Sequence, residues 1–207
     1  IMGAFYSNTI ARFITDDNQL IVGGLTIKSG LDGFYQQKHT QTLSWHDEIS
    51  ILKEAFTYAI KQNARIAEFG ILLEYPIARR EKRIDVVIVT GDVIIIIEFK
   101  VGKADYQNID KEQLIDYCLD IRDFHYESRD KIIIPVLVAT NGGLVENKLI
   151  SDADSVKNMV FANASTLADN LILLLNKYET SWLIPDFDKW DNSEYFPTPT
   201  IIEAAKT

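Results

Sequence analysis

Val93-Ile94-Ile95-Ile96-Ile97-Glu98-Phe99-Lys100 sets five β-branched residues in a row and then ends on a carboxylate and an ammonium. The aliphatic run predicts a strand buried on both faces, the kind found inside a sheet covered by helices. Side chains alternate along a strand, so Glu98 and Lys100 point to the same side. Charges at the end of so apolar a strand are costly unless a cation, a phosphate or another charge compensates them. On their own the two residues also fit a same-face ion pair.

The neighbouring sequence extends the sheet. Arg83 to Val89 predicts a second strand carrying Asp85, joined to the first by the turn Thr90-Gly91-Asp92 as an antiparallel hairpin. Ile71 to Ile77 predicts a strand before it, containing Glu74. Ile132 to Ala139 is almost wholly apolar and belongs in the middle of a sheet. A helix is expected from Ser44 to about Gln62, with Ser44 as its cap and Asp47 and Glu48 in its first turn. A second helix should run from Tyr106 or Asp110 to His125. Residues 6–27 mix apolar and polar positions around a turn at Asp16-Asp17-Asn18, and Gly23-Gly24 and Gly30 to Gly33 punctuate the next stretch. Later elements are a short strand at Asn158 to Ala162, a helix at Ser165 to Tyr178, and a final helix at Ile201 to Lys206 after Pro197-Thr198-Pro199-Thr200. The core order is helix, three strands, helix, strand: an α/β fold with a mixed sheet.

Composition narrows the function. The 207 residues are 47% hydrophobic and 25% charged, as in a globular protein with a substantial core. No apolar run approaches the roughly 20 residues that span a bilayer. No signal-peptide pattern is seen at the N-terminus, and a cytoplasmic location is expected. One cysteine, Cys118, excludes an internal disulfide and a cysteine-based zinc cluster, and reads as a small core residue. The three histidines are scattered: His39 and His46 have no forced role, and His125 closes a helix, where a cation is favourable. The net charge of −9 argues against a general nucleic-acid surface but allows a local basic strip. Arg79, Arg80, Lys82 and Arg83 form the densest such cluster, and with Lys103 they are the candidate nucleic-acid contacts.

Asp85 and Glu98 lie on adjacent strands of a short hairpin, within about 5 Å of each other, and can share one cation. Mg²⁺ suits them, since it takes carboxylate oxygens and keeps several waters. The backbone carbonyl of Phe99 is a further candidate ligand, and Glu48 can add a carboxylate from the helix. Lys100 is placed to stabilise charge on a phosphate. Gln113 and Tyr117, four apart, share a helix face and can bond a substrate phosphate or position the lysine. Glu74 either approaches the cation or pairs with Arg79 or Arg83.

Asp85, Glu98-Phe99-Lys100 and Gln113-x-x-x-Tyr117, in this order of elements, resemble the PD-(D/E)xK nuclease superfamily, in its RecB-like, QxxxY-bearing branch. Ile84 stands where the motif name has proline. The resemblance implies a restriction-endonuclease-like core and Mg²⁺- or Mn²⁺-dependent hydrolysis of phosphodiester bonds. It implies Asp85 and Glu98 as ligands, Lys100 as catalytic partner and Glu48 as the acidic position of the first helix. Tyr6-Ser7-Asn8, Trp45-x-x-Glu48-Ile49, Glu74-Tyr75-x-Ile77, Glu98 to Gly102, Asp116-Tyr117, Asp123-Phe124-His125 and Pro135 to Thr140 together resemble a narrower group. These are the N-terminal nuclease domains of bacterial proteins that carry a Schlafen-type DNA/RNA helicase domain. On that resemblance residues 1–180 form the nuclease-like domain, and 181–207 an aromatic and acidic tail leading into a helicase. No G-x-x-x-x-G-K-[ST] loop is present, so a helicase would lie beyond Thr207 and this chain should not hydrolyse ATP.

The expected activity is that of a metal-dependent deoxyribonuclease with DNA as partner, RNA remaining open. The other reading is a catalytically silent nuclease-like module that binds nucleic acid or regulates a partner. The sequence sets neither the mode of cutting nor the oligomeric state.

Overall fold

In the computed structural model, which describes residues 3–31, 38–77 (side chains from 41), 82–196 and 204–206, the aliphatic run forms strand β4, Val93–Lys100. Antiparallel β3, Lys82–Val89, lies on one side of it and parallel β5, Ile132–Ala139, on the other. The sheet continues outward to β2, Gly70–Ile77, and β1, Tyr6–Thr9, at one edge and to β6, Val160–Ala162, at the other. Its order is β1-β2-β3-β4-β5-β6, antiparallel from β1 to β4 and parallel from β4 to β6. Parallel neighbours need a crossover, and helix α4, Asn108–Phe124, connects β4 to β5.

Helices cover both faces, which is why the central strands need no polar alternation. Leu73, Val86, Ile88, Ile95, Ile97 and Val136 pack under α2, Asn18–Leu31, α3, Lys38–Gln62, and α5, Leu167–Tyr178. Leu72, Val87, Ile94, Ile96 and Leu137 face α4, which contributes Leu114, Tyr117, Cys118 and Ile121. Among the described residues no helix is long and apolar enough to cross a membrane.

Three regions depart from the sequence-based expectation. The first 31 residues are more regular: β1 leads into α1, Ile10–Thr15, and then α2. The Asp16-Asp17-Asn18 turn is present, and Asp17 accepts the Gln19 and Leu20 N–H groups to start α2. Gly23, Gly24 and Gly30 do not break that helix, because burial of Ile21, Val22 and Leu25 overrides their poor propensity. Helix α3 starts at Lys38, so Ser44 is not its cap and Asp47 and Glu48 are not in its first turn. The Ser44 hydroxyl instead donates to the Glu48 carboxylate at 3.1 Å.

The segment from 181 to 196, expected as a tail, packs on the sheet. Trp182 stacks on Phe69 at 5.8 Å. Helix α6, Phe187–Asp191, buries Trp190 against Tyr75 and His125, and the indole N–H donates to Ser128 at 2.8 Å. Asp191 accepts the Ala4 N–H at 2.8 Å, tying the segment to the start of the chain. Of the final helix expected at Ile201 to Lys206, residues 201–203 lie outside the described residues.

Candidate active site

The acids meet where the sheet changes parity. Leu73 pairs with Val86 and Val86 with Ile97, and all three face the core under α3. Beyond this row lie Glu74, Asp85 and Glu98, one on each of β2, β3 and β4. Tyr75 and Ile84 pair next, but they face the opposite core, so β2 and β3 have both shifted phase. Glu74 takes the shift with φ of 54°, a left-handed conformation costly for a side chain with a Cβ. Strand β4 does not shift, since Ile97 and Phe99 face the same core. Ile84 and Phe99, next in register, therefore face opposite ways. The β3–β4 ladder ends at Val86 and Ile97, and the acids stand in the opening.

Helix α3 roofs this opening. Gln41, Ser44, Trp45 and Glu48, at helical spacing, close a cavity of about 390 Å³ over the acid row, Phe99 and Lys100. Each acid is held differently. Glu74 accepts the Trp45 indole N–H at 2.9 Å and the Arg83 guanidinium at 2.8 Å. Asp85 accepts the backbone N–H of Phe99 at 2.8 Å. An extended residue presents N–H and C=O on the same edge, so the Phe99 carbonyl also faces β3. Glu98 Oε1 lies 3.7 Å from the Lys100 ammonium, while Oε2 is buried and has no hydrogen-bond partner.

Burial and mutual repulsion keep protons on these groups. Burial, then the charge of Glu74, pushes the Asp85 carboxyl up to about 7. Burial, then the charge of Asp85, raises Glu98 well above the usual range, and the same two causes raise Glu48. Asp85 and Glu98 therefore titrate as a coupled pair rather than as two independent acids. Lys100 loses from burial and gains more from Glu98, Asp110 and Asp85, so its ammonium is strengthened.

Asp85, Glu98, Lys100, Glu48 and the Phe99 backbone thus come together. Gln113 and Tyr117 do share a face of α4, where the Gln113 amide donates to the Tyr117 hydroxyl, but they do not line the cavity; Tyr117 is a core residue. Arg83 is not a free nucleic-acid contact, being bound to Glu74 and lying 4.8 Å over the Phe5 ring. Lys82 and Lys103 are exposed, and Arg79 and Arg80 lie outside the described residues. The side chain of His39 is also outside them, and His46 does not line the cavity. His125 is no helix-end cation: burial holds its pKa down to about 4. Cys118 is buried as expected.

Glu74 joins the row through a distortion that no periodicity signals, and Trp45 reads in sequence as a plain core residue. Asp110 lies 3.4 Å from the Lys100 ammonium, and only its helix face, not this pairing, was legible. It precedes Gln113 by three and Tyr117 by seven, on one face of α4.

Among the described residues no three acidic, histidine or cysteine side chains converge closely enough to hold a metal ion by themselves. Glu74 is occupied by Trp45 and Arg83, and Glu48 by Ser44. What remains is Asp85, Glu98 with its unpartnered oxygen, and a backbone carbonyl. That donor set fits Mg²⁺ or Mn²⁺ rather than a closed protein cage, because Mg²⁺ is held by one or two carboxylates and completes its shell with water and substrate oxygens. Comparison with protein families, curated proteins and solved structures finds no match.

Proposed function

We propose that the chain is a metal-dependent nuclease domain that hydrolyses DNA phosphodiester bonds on a restriction-endonuclease-like core. The observation that carries this reading is the buried, unpartnered Oε2 of Glu98, beside Asp85 and on the same strand end as the Lys100 ammonium. A buried carboxyl oxygen without a hydrogen-bond partner is expensive, and a divalent cation that displaces the proton is a partner that relieves it. The order α3-β2-β3-β4-α4-β5, antiparallel then parallel, also supports it.

Asp85 and Glu98 would hold Mg²⁺ or Mn²⁺ together with the Phe99 carbonyl, and Glu48 would face it from α3. The ion, when bound, supplies Lewis acidity and a water acidic enough to attack phosphorus. Lys100 places a positive charge where negative charge develops on the phosphate, its ammonium held at the strand end beside Glu98. Lys82 and Lys103, with Arg79 and Arg80, contact the DNA backbone. A helicase domain following this chain is the expected companion, in the cytoplasm, and RNA is the competing substrate.

A catalytically silent binding or regulatory module is the second reading, favoured by the lack of three converging metal-binding side chains among the described residues. One experiment separates them. Linear, circular and single-stranded DNA, and RNA, are incubated with the protein in Mn²⁺ with and without EDTA, beside Mn²⁺ calorimetry. Cleavage that EDTA abolishes, and that Asp85→Ala and Lys100→Ala abolish without unfolding, supports the nuclease. Undiminished cleavage by both variants, or no Mn²⁺ binding, overturns it.

A further inference from the structure

We propose that Asp110 is a positioning residue that holds the Lys100 ammonium at the site, an inference that rests on the nuclease reading. The Lys100 side chain is 22% exposed, and its Nζ lies between two carboxylates, Glu98 Oε1 at 3.7 Å and Asp110 Oδ1 at 3.4 Å. These two partners are not equivalent. Glu98 lines the cavity and is needed there as a ligand, so it cannot belong to the lysine alone. A divalent cation on Glu98 would also repel the ammonium. Asp110 does not line the cavity, and Lys100 is the cation it faces, so its hold is unaffected when Glu98 is engaged.

The placement of Asp110 is itself secured. It lies in the first turn of α4, where the helix dipole favours a negative charge. Its N–H donates to the Gln107 carbonyl at 3.2 Å. One and two turns further along the same face, Gln113 bonds Tyr117, and Tyr117 is anchored in the core against β-sheet side chains. The Gln113-x-x-x-Tyr117 element thus acts on the lysine at one remove. It fixes the helix face that carries Asp110, and Asp110 fixes the ammonium.

The test compares Asp110→Asn and Asp110→Glu with the unaltered chain in Mn²⁺-dependent cleavage. It adds Mn²⁺ calorimetry and, in the metal-free protein, the rate at which an acylating reagent modifies Lys100, read by mass spectrometry. Asp110→Asn is expected to lower kcat roughly 10- to 100-fold, the scale of a misplaced catalytic group, with KM and Mn²⁺ affinity unchanged. Lys100 should be acylated severalfold faster, and Asp110→Glu should recover most of the kcat. Unchanged kcat in Asp110→Asn overturns the positioning role and leaves the nuclease reading intact. Lost Mn²⁺ affinity, or an unchanged rate of Lys100 acylation, shows that Asp110 acts other than through the lysine and overturns it too. If the unaltered chain neither cleaves nor binds Mn²⁺, the nuclease reading fails and this inference fails with it.

Discussion

Asp85 and Glu98 occupy the first unpaired step of the β3–β4 hairpin, one position beyond Val86 and Ile97, and the Phe99 N–H next to them bonds the Asp85 side chain at 2.8 Å. The site is therefore a gap in backbone pairing filled by carboxylates, and its first measurable property is how it responds to protons.

The Asp85 carboxyl moves from 3.8 to about 7 on folding. Between those values the folded chain holds more protons than the unfolded one, so stability contributed at this group falls as pH rises. His125, lowered from 6.5 to about 4 by burial, acts in the opposite direction over most of that range. The difference between two proteins isolates the acid. In EDTA, Asp85→Asn should gain melting temperature over the unaltered chain progressively from pH 4 to pH 7. A constant offset across that interval would refute the assigned shift.

Trp45→Phe keeps the ring in the core but removes the N–H that Glu74 accepts. A buried carboxylate oxygen left without its donor should cost about 1–3 kcal/mol. Urea unfolding measures it, and a loss below about 0.5 kcal/mol would mean that the bond contributes little.

The basic residues around β3 should separate into two behaviours. Arg83→Met breaks a buried pair and should destabilise by about 3–5 kcal/mol. Lys82→Gln and Lys103→Gln, both exposed, should leave stability within about 0.5 kcal/mol. Each should reduce the slope of log affinity for DNA against log salt by about 1. Titrations at several salt concentrations decide whether those two lysines meet phosphates.

Trp190→Ala should cost about 3–5 kcal/mol, as expected for an aromatic side chain lost from a core. Truncation before residue 181 should be at least as damaging, because it also removes Trp182, Asp191 and Tyr195. Equal urea midpoints for the truncated and full chains would show that the segment packs without stabilising the fold.

Gly23→Ala and Gly24→Ala should each stabilise by up to about 1 kcal/mol, since an added Cβ meets nothing within 4 Å and both positions are helical. A loss of stability would argue against a helix there.

Local sequence carries the sheet centre well. An unbroken aliphatic run leaves no alternative for β4 and β5, and the short turn between β3 and β4 brings Asp85 to Glu98 without any knowledge of the rest of the chain. The N-terminal helices were hidden because glycine has poor helix propensity, and only contacts with distant residues show that it is overridden. Ser44 looked like a cap because serine at a helix start and serine bonding the next turn are identical in sequence. The pairing of Glu74 with Trp45 spans 29 positions, and that of Lys100 with Asp110 crosses from strand to helix. Both depend on packing that composition does not encode. The role of 181–196 was hidden for the same reason, its partners being at Ala4, Phe69 and Ser128.

The shift of β2 and β3 against an unshifted β4 makes the cleft a matter of backbone phase. The two strands turn over together without either gaining a residue, since Leu73 and Val86, then Tyr75 and Ile84, stay in one-to-one register. The turn-over coincides with the left-handed Glu74, so the residue that opens the slot is also one of the acids that line it.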